Sequence, residues 1–276
     1  MSRPMILSMN GWYPQSKDIC KKEIEKYLDK SVFIEGRNPV SAIVPHAGWF
    51  YSGRLAINTI KLLREKNGFI KNVFIFGGHL SPNSLTVCET FETAETPFGE
   101  LTNNQEVLDL LKSENNMQFV EYVPDNTIEI LLPIVKFFFP NALITAIYLP
   151  PSLRSSKLAD KLYDNFGDGS IFIGSTDLTH YGPNYSFTRS DKSVTPYEWV
   201  KNTNDKKYID LLLALEGDKS LDYALKNKSA CSSGAALGAV AVAKKRGIKS
   251  GHLVGYSNSY EIHKDENFVG YVGIVY

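Results

Sequence analysis

The chain is poor in sulfur and imidazole: its 276 residues include three cysteines, four methionines and five histidines. Cys20, Cys88 and Cys231 are odd in number and share no close spacing, which argues against a disulfide framework and predicts reduced thiols. Net charge is missing as well. Thirty Lys and Arg balance thirty Asp and Glu, unlike a domain whose work is neutralising phosphates, so no nucleic-acid partner is expected. Long apolar runs are lacking too. Residues 130–139 are interrupted by Pro133 and Lys136, and 230–243 is shorter than the roughly 18 residues a bilayer span needs, so no membrane association is expected. The apolar stretch near the start is too short for a secretory signal, and the expected location is cytoplasmic. Local catalytic signatures are equally scarce. Without a G-x-S-x-G elbow, a Walker A loop, a G-x-G-x-x-G turn or an H-E-x-x-H pair, the hydrolase, nucleotide-binding and zincin classes have no anchor.

What is present suits one large α/β domain covering residues 1–276, with 43% hydrophobic and only 22% charged residues. Short β-rich runs at 42–44, 73–76, 143–148, 170–173, 252–256 and 270–275 alternate with amphipathic stretches. The latter predict helices at 17–28, 54–66, 105–112, 128–138, 154–166, 208–215 and 234–246. Such alternation predicts βαβ units around a mostly parallel central sheet flanked by helices. Asn104 is placed to cap the third helix and Asn126 or Thr127 the fourth, while Lys244 to Gly247 suits a helix C-terminus. Residues 85–91 read as an antiparallel edge strand, and the polar stretch 186–207 as a long surface loop or lid.

Three histidines share one context. His46, His79 and His180 each lie just past a predicted strand, and in a parallel sheet those ends open onto one edge, where α/β folds bind ligands. Several imidazoles with a carboxylate such as Asp177 suit a first-row transition metal, and two His plus one carboxylate suit non-heme Fe(II). Cys231 directly precedes Ser232, Ser233 and an Ala-rich helix, a setting that stabilises a thiolate but equally suits a small residue where helix packs on sheet. Asp125 and Glu129 could act as an acid/base pair, although Asp125 reads first as a helix-start residue. Cys20, Cys88, His252 and His263 have no such surroundings and read as bystanders.

Five blocks together resemble the Memo family: Asn10 to Pro14, Val44-Pro45-His46-Ala47-Gly48-Trp49-Phe50-Tyr51-Ser52-Gly53, Glu95 to Glu100, Gly174-Ser175-Thr176-Asp177-Leu178-Thr179-His180-Tyr181-Gly182 and Tyr197 to Val200. They occur in the family's order across nearly the whole chain. The resemblance implies a fold like that of class III extradiol ring-cleavage dioxygenases and a pocket metal held by His46, His79 and Cys231. It places His180 and Asp177 beside that metal as catalytic residues, with Asp177 orienting His180. The implied cofactor is a divalent transition metal, Fe(II) first, with Cu or Zn as alternatives. The implied function is a metal-dependent redox enzyme acting on a small molecule. Alternatives are a non-catalytic module binding a peptide or phospho-ligand, or an accessory protein with radical-SAM and AMMECR1-domain partners. Three departures stand out. Phe76-Gly77-Gly78-His79 replaces the usual G-P-[SN]-H, Asn126 stands where the family has a pocket histidine, and Ser232 replaces a glycine.

Overall fold

The computed structural model describes residues 1–32, 34, 38–190 and 193–276. In chain order the first elements are β1 (Ser2–Arg3), α1 (Ile6–Met9), α2 (Lys17–Tyr27), β2 (Ser41–Val44), α3 (Arg54–Lys66), β3 (Asn72–Gly77), β4 (Thr86–Glu89), β5 (Thr93–Ala94) and β6 (Leu101–Thr102). There follow α4 (Gln105–Leu111), β7 (Met117–Val120), α5 (Asn126–Glu129), α6 (Leu132–Phe138), β8 (Leu143–Tyr148), α7 (Leu153–Phe166), β9 (Ser170–Ser175) and β10 (His180–Tyr181). The chain closes with α8 (Pro196–Trp199), α9 (Lys206–Leu213), α10 (Gly217–Asn227), α11 (Ser233–Lys245), β11 (His252–Asn258), α12 (Ser259–Ile262) and β12 (Phe268–Val275).

The central sheet runs β10-β12-β2-β9-β3-β8-β4-β7, with β11 also paired to β12. Its middle, β2-β9-β3-β8, is parallel, as the alternation predicts. The flanks correct the expectation of a mostly parallel sheet: β12 runs antiparallel to β2, β10 and β11, and β4 antiparallel to β8. The sheet is therefore mixed, because the last strand arrives after β11 rather than through a crossover helix. Residues 85–91 do give an antiparallel strand, but not an edge. An unanticipated strand, β7, pairs parallel with β4 and covers it.

The middle strands read as continuous apolar runs because helices cover both faces. Along β3, Val73 and Ile75 join the layer formed with α2, α3 and α6, while Phe74 and Phe76 face α7 and α11. Phe74 stacks on Phe172 of β9 with centroids 4.6 Å apart and planes 6° from parallel, a pair worth about 0.5–1.5 kcal/mol beyond its buried area.

Other expectations shift at element ends. Asn104 does cap α4, accepting from the backbone N–H groups of Glu106 and Val107. The helix expected over 128–138 is two, α5 and α6, with Pro133 in the first turn of the second, and the cap of α5 is Asp125 rather than Asn126 or Thr127. The stretch 186–207 is no simple lid. A capping box of Thr195 and Glu198 starts α8, and a π-helical turn over Val200–Asp205 carries the chain into α9; residues 191 and 192 of that stretch lie outside the described residues. Helix α10, absent from the sequence reading, ends on left-handed Lys228. No helix among the described residues is long and apolar enough to cross a membrane.

Candidate metal centre

Three neighbouring parallel strands set the site. The registers Val44 to Ser175 and Phe76 to Gly174 bring the ends of β2, β9 and β3 level. His46, Asp177 and His79 each sit two residues past those ends. Cys231 approaches from the opposite side, in the loop before α11. A Cβ on Gly174 would meet the Ala235 carbonyl oxygen at 2.6 Å, so only glycine in β9 lets α11 lie against the strand and bring its N-terminus to the site. His46, His79 and Cys231 thereby offer three ligand atoms within 4.8 Å of one another, and the shortened Gly77-Gly78 turn still delivers His79. Gly78 takes a φ of +109°, and Cβ on Gly77 would lie 2.3 Å from Thr127 Oγ1. That close packing lets the Gly78 N–H donate to the Thr127 hydroxyl at 2.9 Å.

Each ligand candidate is held from behind. His79 Nδ1 lies 3.0 Å from Asp125 Oδ2, and because a carboxylate only accepts, Nδ1 carries a proton and Nε2 is the nitrogen that offers a lone pair to the cluster once its own proton is lost. His46 is buried, its Nδ1 is 3.0 Å from the Ser175 hydroxyl, and its Nε2 is 3.3 Å from Cys231 Sγ. The Asp177 N–H donates to Cys231 Sγ at 3.3 Å, while Asp177 Oδ1 accepts from the His46 N–H at 2.7 Å. Burial works against a Cys231 thiolate, yet His46 and His79 outweigh it and hold the thiol well below its ordinary range. Burial likewise opposes protonation of His79, but Asp125 and the Cys231 sulfur push it up to about 10. Asp125, despite burial, is held at about 2 by His79 and Thr127. A thiolate facing protonated imidazole is a charge arrangement in which a metal cation can take the place of protons.

A cavity of about 590 Å³ opens beside this cluster, and Asp177, Asn126 and His180 line it. Among the described residues the Asp177 carboxylate makes no hydrogen bond to His180, although the two lie close enough to interact electrostatically. That carboxylate faces His46, and the Leu178 carbonyl accepts from His180 Nδ1 at 3.0 Å. That bond fixes the tautomer, leaving Nε2 of neutral His180 as a proton acceptor. Asn126 lines the wall and donates from Nδ2 to the His46 carbonyl at 3.1 Å. The third departure, Ser232, donates its backbone N–H to Thr176 Oγ1 at 3.1 Å.

His263 corrects the sequence reading, because it lies in the cavity wall. Its only sequence signal is a polar stretch ahead of the last strand. Cys20 and Cys88, read from the sequence as bystanders, are buried in apolar layers away from the cluster, the first pushed up to about 12 by burial and Glu23. The role of Asp125 was half visible: it caps α5 through the Thr127 N–H, and it also holds His79.

A MEMO1 family protein of Methanosarcina barkeri is 26% identical, covering 100% of this chain and 99% of its own length. Another from Thermoplasma volcanium is 29% identical over 86% of this chain and 85% of its own length. In fold, the chain is similar to the crystal structure of an uncharacterized protein from Escherichia coli K12, with TM-score 0.54 and 13% identity, covering 86% of this chain and 99% of that one. The model of the Memo-like protein family matches residues 8–275, and with nearly its full length matched the chain belongs to the Memo family.

Proposed function

We propose that the chain is a metal-dependent enzyme in which His46, His79 and Cys231 hold a divalent transition metal, with a small ligand occupying the adjoining cavity. One observation carries this reading: three ligand atoms of the right chemistry converge within 4.8 Å, each backed by its own hydrogen-bonding partner. The donor set fits. Two imidazoles and a thiolate suit Fe(II), with Cu and Zn favoured more than at an all-N/O site because the thiolate is soft. A bound metal would supply Lewis acidity, and with Fe or Cu redox capacity, to a ligand atom beside it. His180 Nε2, with its lone pair fixed by the Leu178 carbonyl, accepts and returns a proton of the ligand. This divides the labour as in an extradiol-type oxygenase, with thiolate in place of carboxylate.

Elemental analysis of anaerobically purified protein tests the metal. Wild type is expected to carry transition metal, while His46→Ala and Cys231→Ser lose most of it. A wild type that stays metal-free after reconstitution, or His46→Ala with a full complement, overturns the assignment. A binding module differs from an enzyme at His180. His180→Asn is expected to keep the metal and lose oxygen-coupled turnover; turnover unchanged in the variant would remove His180 from the chemistry, and a metal-loaded wild type that binds ligand without any turnover would favour pure binding.

A further inference from the structure

The walls of the cavity carry their own chemical preference. Five aromatic rings line it: Trp12, Phe50, Tyr51, Tyr185 and Tyr271. Three of these stay open to solvent, Phe50 at 68%, Tyr51 at 39% and Tyr185 at 40%. Phe50 and Tyr51 are presented by a π-helical turn, Trp49–Gly53, that begins three residues after His46. Buried Trp49 anchors the turn, donating from Nε1 to the Ile130 carbonyl at 3.1 Å. Exposed aromatic faces around a concave site are negative at their centres and attract cations.

Formal charge points the same way. Among the described residues no Lys or Arg lines the cavity, whereas Asp177 at the floor and Asp265 at the rim do. Lys264, between His263 and Asp265, does not line it; with Asp265 it borders the neighbouring cavity walled by Tyr260 and Phe268. Asp265 Oδ1 accepts from the Asn267 N–H at 2.7 Å and from Nδ2 at 3.0 Å, and Oδ2 makes no hydrogen bond among the described residues.

We propose that this cavity takes a ligand with an ammonium group on a ring-sized apolar body, and discriminates against carboxylate- and phosphate-bearing rings. The inference rests on the metal-site reading and names its ligand class. Four additional cavity residues, Asn10, Asn126, Asn184 and Asn267, supply neutral amide contacts and no anion clamp. Recognition of a phosphate usually draws on a guanidinium or ammonium, absent from this wall among the described residues; the basic groups that do line it are the imidazoles of His180 and His263, and His263 sits beside Asp265.

Calorimetric titration of the purified protein, its metal content measured in the same sample, tests the preference with four matched probes. The expected order is phenethylammonium first, 2-phenylethanol second, and phenylacetate and phenyl phosphate last. Asp265→Asn is expected to weaken phenethylammonium by roughly three- to fivefold, the scale of one partly exposed charge contact, and to leave 2-phenylethanol unchanged. Phenylacetate or phenyl phosphate binding as tightly as the amine, no measurable binding of any probe, or an unchanged amine affinity in Asp265→Asn each overturns the inference. The two readings fail separately. Metal-free protein sinks the triad whatever the affinity order, while metal-loaded protein that prefers phenylacetate sinks only the ligand class.

Discussion

Asp125 shows how one side chain can serve two structures at once. Oδ1 accepts the Thr127 N–H at 2.7 Å and starts α5, while Oδ2 holds the Nδ1 proton of His79 at 3.0 Å. Asparagine caps a helix about as well as aspartate but brings no charge, so Asp125→Asn separates the two roles. We expect metal affinity to fall by about tenfold or more, the usual cost of losing a carboxylate behind a ligand histidine, with little change in melting temperature. Competition with a chromogenic chelator measures the first and calorimetry the second; equal affinities would remove Asp125 from the site. Only the cap was legible in the sequence, because a cap is defined by residues two positions apart. The bond to His79 spans 46 residues and leaves no periodic trace.

At the scale of elements, the turn over Val200–Asp205 is where composition misled. Lys, Asn, Thr and Asp suggest a solvated loop, yet Asn204 and Asp205 are fully buried. Asp205 accepts from the backbone N–H and hydroxyl of Thr179, the residue before His180, and from the Tyr256 hydroxyl at 2.9 Å. Space for it depends on Gly270, where a Cβ would lie 2.0 Å from Asp205 Oδ2. Burial pushes this carboxyl up to about 7, against the hydrogen bonds from Thr179 and Tyr256. The folded protein keeps a proton that the unfolded chain releases near 3.8, so this group's stabilising contribution is complete below about 3.8 and is lost as pH rises through about 7. The full displacement corresponds to about 4 kcal/mol. Asp205→Asn, neutral at every pH, is expected to flatten the fall in denaturation free energy between pH 5 and 8, roughly the window just below and around that value. A wild-type profile already flat there, or an unchanged slope in the variant, would refute the assignment.

Across the whole molecule, the N-terminus is tied beneath the site by a buried ion network. Arg3, 0% exposed, donates to Glu89 at 3.1 Å, to Glu129 at 3.0 Å and to the Val123 carbonyl at 3.1 Å. Glu129 also accepts from the Leu7 N–H and the Tyr13 hydroxyl, and Glu89 from the Val123 N–H and the Tyr148 hydroxyl. Strand β1, α5 and β8 are thus joined just behind the wall that carries Asp125 and Asn126. Removing the cation strands two buried carboxylates. Arg3→Met is expected to lose about 3–5 kcal/mol by urea denaturation, and adding Glu89→Gln and Glu129→Gln to recover part of it. A loss under about 1 kcal/mol, typical of an exposed pair, would contradict this account. Glu129, considered in the sequence as an acid/base partner of Asp125, instead belongs to this network.

The sequence by itself determined the alternation of strands and helices, the parallel middle of the sheet, the histidines at strand ends and the family blocks around them. Those features are local, written in apolar periodicity, turn glycines and residues adjacent in the chain. Tertiary structure alone decided that β12 runs antiparallel, that β7 covers β4, that the Asp177 carboxylate accepts from the His46 N–H, and that Arg3 reaches Glu129. Pairings between distant segments are selected by how buried charges and hydrogen-bonding groups find partners once the layers close, and no local pattern encodes that choice.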